Sequence, residues 1–270
     1  MRTASSTQLC DDPPHSAATY ARDTQVAVSL IVPCYNGEGG LVRSLAALRQ
    51  WLQQQDVETE VILSDDGSNP AAAALLDRCA RQSKRICVVR SSRNRGKGHA
   101  IRLGLEASRG EYCVFLDSDL AYPLSEVALI VSALDDGADV AIANRLAPES
   151  RYEMSPAFIT YLFSRHLGSR IFNGLIRLML LSGVQDTQAG LKGFRRSTAR
   201  LIAERNTVTG FAFDVEALVI AKLHACRVKQ IPVHFRYDSE SSTVHYFRDA
   251  WRMSRDLMRI RLNVWRGKYA

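Results

Sequence analysis

An α/β protein, with a doubly wound and mostly parallel sheet covered by helices on both faces, is the fold class the sequence predicts. Three observations lead there. From Val26 onward, short apolar runs rich in β-branched residues alternate with stretches whose apolar residues fall at helical spacing. The runs are continuously apolar, as strands buried on both faces are. Each run ends in a polar cluster, and in such sheets ligand-binding residues lie beyond the carboxyl ends of the strands.

The elements follow in order. "VSLIVP" (28–33) is a strand, and Leu41 to Gln54 has helical spacing. "EVILSDDGS" (60–68) is a strand with a polar end, followed by an Ala-rich helix at 71–83. "ICVVRS" (86–91) is a third strand, "GKGHAIRLGLEAS" (96–108) opens a helix, and "YCVFLD" (112–117) is a fourth strand. A helix near 125–135 precedes "DVAIAN" (139–144). The second half reads as a helical region at about 157–182, a glycine-punctuated loop "DTQAGLKGF" (186–194), a helix at 196–205, another from "FDVEALVIAKLHAC", and a last strand "VKQIPVHF". Residues 1–24, rich in Ser, Thr, Ala, Pro and Asp, are expected to form a mobile tail. The main domain is then 25–236, with 237–270 as a basic amphipathic extension.

The chain has 270 residues, 46% apolar and 23% charged, which suits a globular protein with a full core. A net charge of +7 points to an anionic partner. Nucleic acid is not the expected one, because the basic residues are not interleaved with aromatic residues as in single-strand binders. Six scattered cysteines without a CxxC pair argue for reduced thiols in a cytoplasmic setting and against zinc or disulfides. The N-terminus lacks the apolar run of a secretory signal. No stretch approaches the ~18 apolar residues of a membrane span, so the chain is not expected to cross a bilayer by itself.

Five polar clusters should meet in one crevice: "PCYNGE", "DDGS", "SSRNRGKG", "DSD" and "NR". Asp117 and Asp119 stand at a buried strand end with only Ser118 between them. Like charges so close repel, share a proton or bind a cation. Hard carboxylate oxygens suit Mg²⁺ or Mn²⁺ together with substrate phosphates, while a solvated turn is the plainer alternative. Asp65 or Asp66 of "DDGS" could accept from a nucleobase or ribose, or form an Asp-Gly turn. "RNRGKGHA" fits neither a P-loop nor a dinucleotide fingerprint. Lys97 at a helix start could still meet a phosphate, or stand solvated. Asp214 and Glu216 of "FDVE" could cap the helix they precede.

As an ordered set, "VPCYNGE", "DDGS", "NRGKGHAIRLGLEASRGEY", "FLDSDL", "ANR", "SRHLGSRIFNGLIRLML", "DTQAGLKGFRR", "FDVEALVIA" and "DLMRIRLNVWRGKY" resemble the polyprenyl-phosphate hexosyltransferases of glycosyltransferase family 2, the dolichyl-phosphate β-glucosyltransferase branch above all. The resemblance runs from about Val28 to Tyr269 and implies the GT-A fold. It implies an inverting transfer of hexose, with UDP-glucose the expected nucleotide-sugar donor, to a polyprenyl phosphate. It places Pro33, Tyr35, Glu38, Asp65, Asp66, Lys97, Asp117 and Ser118 around the donor, and a metal on Asp117 and Asp119. Arg145, Arg165 and Ser169 match acceptor-phosphate positions. Asp186 matches the candidate base, with Gln188 and Lys192 in its loop as catalytic candidates. Departures are visible: Asn36–Gly37–Glu38 stands for Asn-Glu-Glu, Ala121 replaces a polar metal contact, and Ala189 and Leu191 replace Cys and Phe.

The last 26 residues, 245–270, carry seven Lys and Arg against two Asp. Arg248, Arg252, Arg255 and Arg259 fall on one helical stripe beside Phe247, Trp251, Met258 and Leu262. Such a helix suits an anionic membrane surface, and equally a helix packed on the core with a solvated arginine face. The cytosolic face of a membrane is therefore the expected place for a peripheral contact. The alternative function keeps the donor chemistry and uses a soluble hydroxyl acceptor: a peptide, nucleoside or secondary metabolite.

Overall fold

The computed structural model describes residues 26–154, 174, 180–237 and 246–270. The expected tail, most of the 157–182 helical region, Arg165 and Ser169 lie outside them. Seven strands form one sheet in the order β3-β2-β1-β4-β7-β5-β8. They are β1 (Val28–Cys34), β2 (Thr59–Asp65), β3 (Ile86–Arg90), β4 (Tyr112–Leu116), β5 (Val140–Asn144), β7 (Leu191–Arg195) and β8 (Val228–Pro232). A two-stranded sheet pairs β6 (Arg151–Met154) with β9 (His234–Tyr237) in parallel.

The strands sort their side chains to two faces, as the two-residue period requires. Val28, Leu30 and Val32 of β1 pack with α1 (Glu38–Gln53), α2 (Pro70–Arg81) and α4 (Glu126–Asp135). Ile31 points the other way, to a layer made by α3 (Lys97–Ala107), α5 (Arg196–Arg205), α6 (Phe213–Leu223) and α7 (Tyr246–Trp265). Gly104 lets α3 lie against β1: a Cβ there would stand 2.3 Å from Ile31 Cγ2. Helices thus cover both faces, and each layer holds its own apolar cluster.

The strand at β7 is not legible in the sequence, which reads 186–194 as a loop. Only Leu191 and Phe194 are large apolar residues there, and both are fully buried, one in each core layer. Gly193 lies where a Cβ would come within 2.4 Å of Ile130. β7 runs antiparallel to β4 and β5 and separates them, so the sheet is mixed. "VKQIPVHF" is likewise two strands. Pro232, at the end of the β5 pairing, has no N–H to extend the ladder. Val233 turns to Ser150 and Arg151, and β9 begins a separate sheet.

The C-terminal helix is bound into the core by Leu257 and Ile260, with Tyr269 buried just beyond its end. The Tyr269 hydroxyl donates to Glu216, a fully buried carboxylate. Glu216 also accepts from Asn206 Nδ2, from Thr207 N at 2.9 Å, from Thr207 Oγ1 at 2.7 Å and from Val208 N at 2.7 Å. The next residue, Thr209, accepts the His99 amide at 3.1 Å, and a Cβ on Gly96 would come within 2.5 Å of its carbonyl oxygen. The chain end is thereby joined to the loop that carries Lys97. Tyr269→Phe, which leaves the buried carboxylate short of a donor, is expected to cost about 1–3 kcal/mol. Urea unfolding reads this as a lower midpoint at unchanged slope.

Candidate active site

In a parallel sheet the carboxyl ends of β1, β2, β4 and β5 share one edge. Because β7 is antiparallel, the segment leading into it, 185–190, reaches that same edge. Sheet topology thus brings "DTQAG" beside "DSD".

Asp117 is fixed there from two sides. Its amide donates to Gly190 O at 3.0 Å, and its carboxylate fills the space a side chain at 190 would need, since a Cβ would be 2.0 Å from Oδ2. Lys97 Nζ lies 2.8 Å from Asp117 Oδ1 and 3.8 Å from Asp214 Oδ2. Asp214 Oδ1 is 2.6 Å from Lys192 Nζ, which also donates to Ala189 O. Aspartates and lysines therefore alternate from the crevice into the core. Burial opposes the charge on Lys97, but Asp117 and Asp214 outweigh it and hold the ammonium above its ordinary value. Lys192 is enclosed completely, and burial pulls it below its ordinary value despite Asp214. Asp119 has its carboxyl pushed up, first by loss of water and then by the Asp117 carboxylate. Ser118 is half-buried between the two aspartates.

On the β1–β2 side, Pro33 is buried in its strand while Tyr35 is 51% exposed. Asn36 accepts the Asn69 amide at 2.8 Å and its own amide donates to Ser68 Oγ at 2.9 Å. Glu38, despite its displacement in the motif, accepts from Asn69 Nδ2 at 2.6 Å, a bond that lowers its carboxyl pKa. Asp66 accepts the amides of Arg95 at 3.0 Å and Gly96 at 2.6 Å, tying "DDGS" to the loop before Lys97. Burial raises the Asp66 pKa, and these amides oppose the rise. Asp65 is enclosed, held by Arg90 Nε at 2.6 Å and the Ser68 amide at 2.9 Å.

On the β5 side, Asp186 accepts three hydrogen bonds from Arg145: from Nε at 2.7 Å, Nη2 at 2.9 Å and the backbone amide at 3.1 Å. Burial alone would raise the Asp186 pKa, but the guanidinium reverses this and leaves the carboxyl below its ordinary value. The Arg145 guanidinium lies 5.6 Å from the centre of the Phe235 ring, and Tyr122 meets the same ring edge-on at 4.9 Å. Gln188 points to α7, with Nε2 3.9 Å from Met253 Sδ.

The structure therefore brings together Lys97, Asp117, Asp119, Arg145, Asp186 and the loops bearing Tyr35, Glu38 and Asp66. Lys192, expected among the catalytic groups, is instead closed off behind Asp117, because its ammonium is spent on Asp214 and Ala189. Asp65 is likewise turned to Arg90. Sequence reading missed the role of Asp214: the α6 N-cap is Ala212, and the aspartate bonds lysines rather than helix amides. An acidic residue at the head of a mostly apolar helix was the available signal. Among the described residues no group of three or more His, Cys, Asp or Glu forms a metal cage. Two neighbouring carboxylates, Asp119 raised by lost hydration and then by Asp117, do fit a hard cation that would take its other ligands from phosphate and water.

Known proteins resemble the chain in sequence and in fold. The family model described as "Glycosyl transferase family 2" matches residues 29–201. The dolichyl-phosphate beta-glucosyltransferase of Drosophila melanogaster is 32% identical over 248 residues, spanning 86% of this chain and 74% of the relative. Its Homo sapiens counterpart is 30% identical over 251 residues, spanning 90% and 77%. Glucosyl-3-phosphoglycerate synthase from Mycobacterium tuberculosis, solved with UDP, superposes with a TM-score of 0.60 at 20% identity, over 88% of this chain and 79% of that one. The matched family and the shared GT-A fold give one conclusion: this chain belongs to glycosyltransferase family 2 and is a glycosyltransferase.

Proposed function

We propose that the enzyme transfers glucose from UDP-glucose to a polyprenyl phosphate of the dolichyl type, with Mg²⁺ or Mn²⁺ and with inversion at the anomeric carbon. The observation that carries this reading is the Arg145–Asp186 pair. Asp186 is the acceptor-side carboxylate, and Arg145 holds it below its ordinary pKa, which makes it a poor general base. A hydroxyl acceptor needs a base, whereas a phosphate monoester, with its second pKa near ~6, arrives already ionised. The names of the relatives point to the same acceptor and sugar. A structural neighbour solved with Mn²⁺ and UDP-glucose supports the donor and the cation.

In this reading Asp117 and Asp119 hold the cation, with Ser118 beside them, and Tyr35, Glu38 and Asp66 border the nucleotide. Pro33 and Asp65 fix the loop ends around it. The cation, when bound, offsets negative charge on the diphosphate. An acceptor phosphate oxygen attacks the anomeric carbon from the face opposite the leaving group. The bond to the β-phosphate oxygen breaks, its electron pair stays with UDP, and no proton need move. Lys97 adds fixed positive charge beside the departing diphosphate, and Arg145 places the acceptor phosphate with Arg165 and Ser169 as its further partners. Asp186 and Gln188 organise the acceptor side, and Lys192 supports Lys97 through Asp214.

A lipid acceptor requires the bilayer to be near. No described helix is long and apolar enough to cross a membrane. α7 instead offers a stripe of Met258, Leu262 and Trp265, which are 55%, 46% and 82% exposed. By helical geometry Arg255, Arg259 and Arg266 flank it on one side and Arg261 on the other, all exposed. An apolar ridge between cations suits an anionic membrane surface on the cytosolic side.

Asp119→Ala is expected to lower turnover with Mn²⁺ and UDP-glucose by about 10²-fold or more, and to weaken calorimetric Mn²⁺ binding to the UDP complex. A variant that keeps most of its activity would place the cation elsewhere. For the acceptor, kcat/KM should fall with pH below ~6 as the phosphate takes its second proton, because Asp186, held low, stays ionised through that range. A phosphonate analogue with a higher second pKa should move the limb upward; an unmoved limb belongs to the protein. A Met258→Ser, Leu262→Ser, Trp265→Ser triple variant should lose flotation with phosphatidylserine vesicles while keeping its thermal midpoint. Equal flotation would remove the membrane contact from α7.

A further inference from the structure

Among the described residues, two buried side-chain polar atoms lack a hydrogen-bond partner: His99 Nδ1 and the Tyr122 hydroxyl. An unmade buried hydrogen bond costs about 1–3 kcal/mol, so each needs a reason. His99 lies beside the Asp66 loop, away from the reacting centre. Tyr122 is 1% exposed and packs against Phe235, the ring over which Arg145 lies. Burial above all raises the pKa of its hydroxyl, the charges of Arg145, Asp186 and Asp117 reach it, and the Gly190 amide faces its oxygen, so what is missing is an acceptor for its proton.

The Tyr122 ring cannot easily turn away. It packs edge-on to Phe235 at 4.9 Å and 62°, and the Arg145 guanidinium lies over the same phenylalanine. β9 fixes the loop from outside, where the Arg236 amide donates to Ala121 O at 2.7 Å. A rigid phenol whose proton has no acceptor thus shares the Phe235 ring with the guanidinium that holds a buried carboxylate. That carboxylate takes its three hydrogen bonds from Arg145, the cation that the reading above gives to the acceptor phosphate. When the guanidinium turns to an incoming anion, Asp186 keeps the Arg145 amide and loses the side-chain donors. A buried carboxylate so stripped is costly unless another donor is at hand.

We propose that Tyr122 is a positioning residue, whose hydroxyl donates to Asp186 when Arg145 turns from that carboxylate to the acceptor phosphate. The phenol is a reserve donor: its proton is unpaired in the free enzyme and paired in the acceptor complex. Its missing bond in the free enzyme tilts the balance toward the bound state, because acceptor binding is what completes it. The inference rests on the phosphate-acceptor reading.

Full-length wild type and Tyr122→Phe test it, with Mn²⁺, UDP-glucose and farnesyl phosphate as a soluble probe. Removing a hydroxyl whose proton has no acceptor should leave the ligand-free thermal midpoint nearly unchanged or raise it. The KM for UDP-glucose should hold, while kcat/KM for farnesyl phosphate should fall about ten- to a hundredfold. The rise in midpoint that farnesyl phosphate produces in the presence of UDP and Mn²⁺ should shrink in the variant. A wild type indifferent to farnesyl phosphate would sink the phosphate-acceptor reading, and the proposal with it. A responsive wild type and a variant within twofold of it would overturn the proposal alone. So would a ligand-free midpoint lowered by several degrees, which would show that the hydroxyl is already bonded.

Discussion

The contact between Lys97 Nζ and Asp117 Oδ1, 2.8 Å long, joins two elements that the rest of the site is built around. Asp117 follows the end of β4 and Lys97 begins α3, so the pair fixes helix against strand at the crevice. Each partner is braced from behind. Gly190 leaves room for the Asp117 carboxylate, and Asp214, anchored by the enclosed Lys192, stands beside Lys97. The arrangement keeps a positive charge next to two carboxylates, one of which, Asp119, is pushed toward protonation first by lost hydration and then by the other. Such a corner suits a hard cation that takes its other ligands from phosphate, the two groups that the proposed chemistry would bring.

A second ion pair divides the labour. Arg145 and Asp186 lie on the β5 side and neutralise one another. Because the pair lowers the carboxyl pKa, the site is better arranged to orient an anion than to take a proton. In the proposed reaction the Lys97–Asp117 side would meet leaving-group charge and the Arg145–Asp186 side the charge of the nucleophile. The antiparallel β7 lets one short loop, 185–190, serve both.

Much of this was legible in the chain itself. Strands buried on both faces announced the parallel part of the sheet, and polar residues at their ends announced the crevice. The DSD pair stood out because two charges at a buried strand end require compensation. β7 stayed hidden because its interior position is filled by Lys192 and Gly193, which carry no strand signal, and the pairing that makes it a strand joins residues far apart in sequence. Asp214 read as a helix cap because its true partners, Lys97 and Lys192, are distant in the chain. Tyr122 gave no signal at all: an orphan hydroxyl is defined only by what surrounds it in three dimensions. The C-terminal helix showed its basic face in the sequence, yet the buried Glu216–Tyr269 contact that ties it to the Lys97 loop could come only from the fold.

The most direct measurement is a crystal soaked with Mn²⁺ and UDP-glucose, with data collected to reveal the anomalous signal of manganese. The geometry predicts one strong peak bridging the carboxylates of Asp117 and Asp119 and the diphosphate, with the Lys97 ammonium turned toward a phosphate oxygen. Manganese bound away from β4, or a nucleotide lodged with its diphosphate facing neither aspartate, would contradict it.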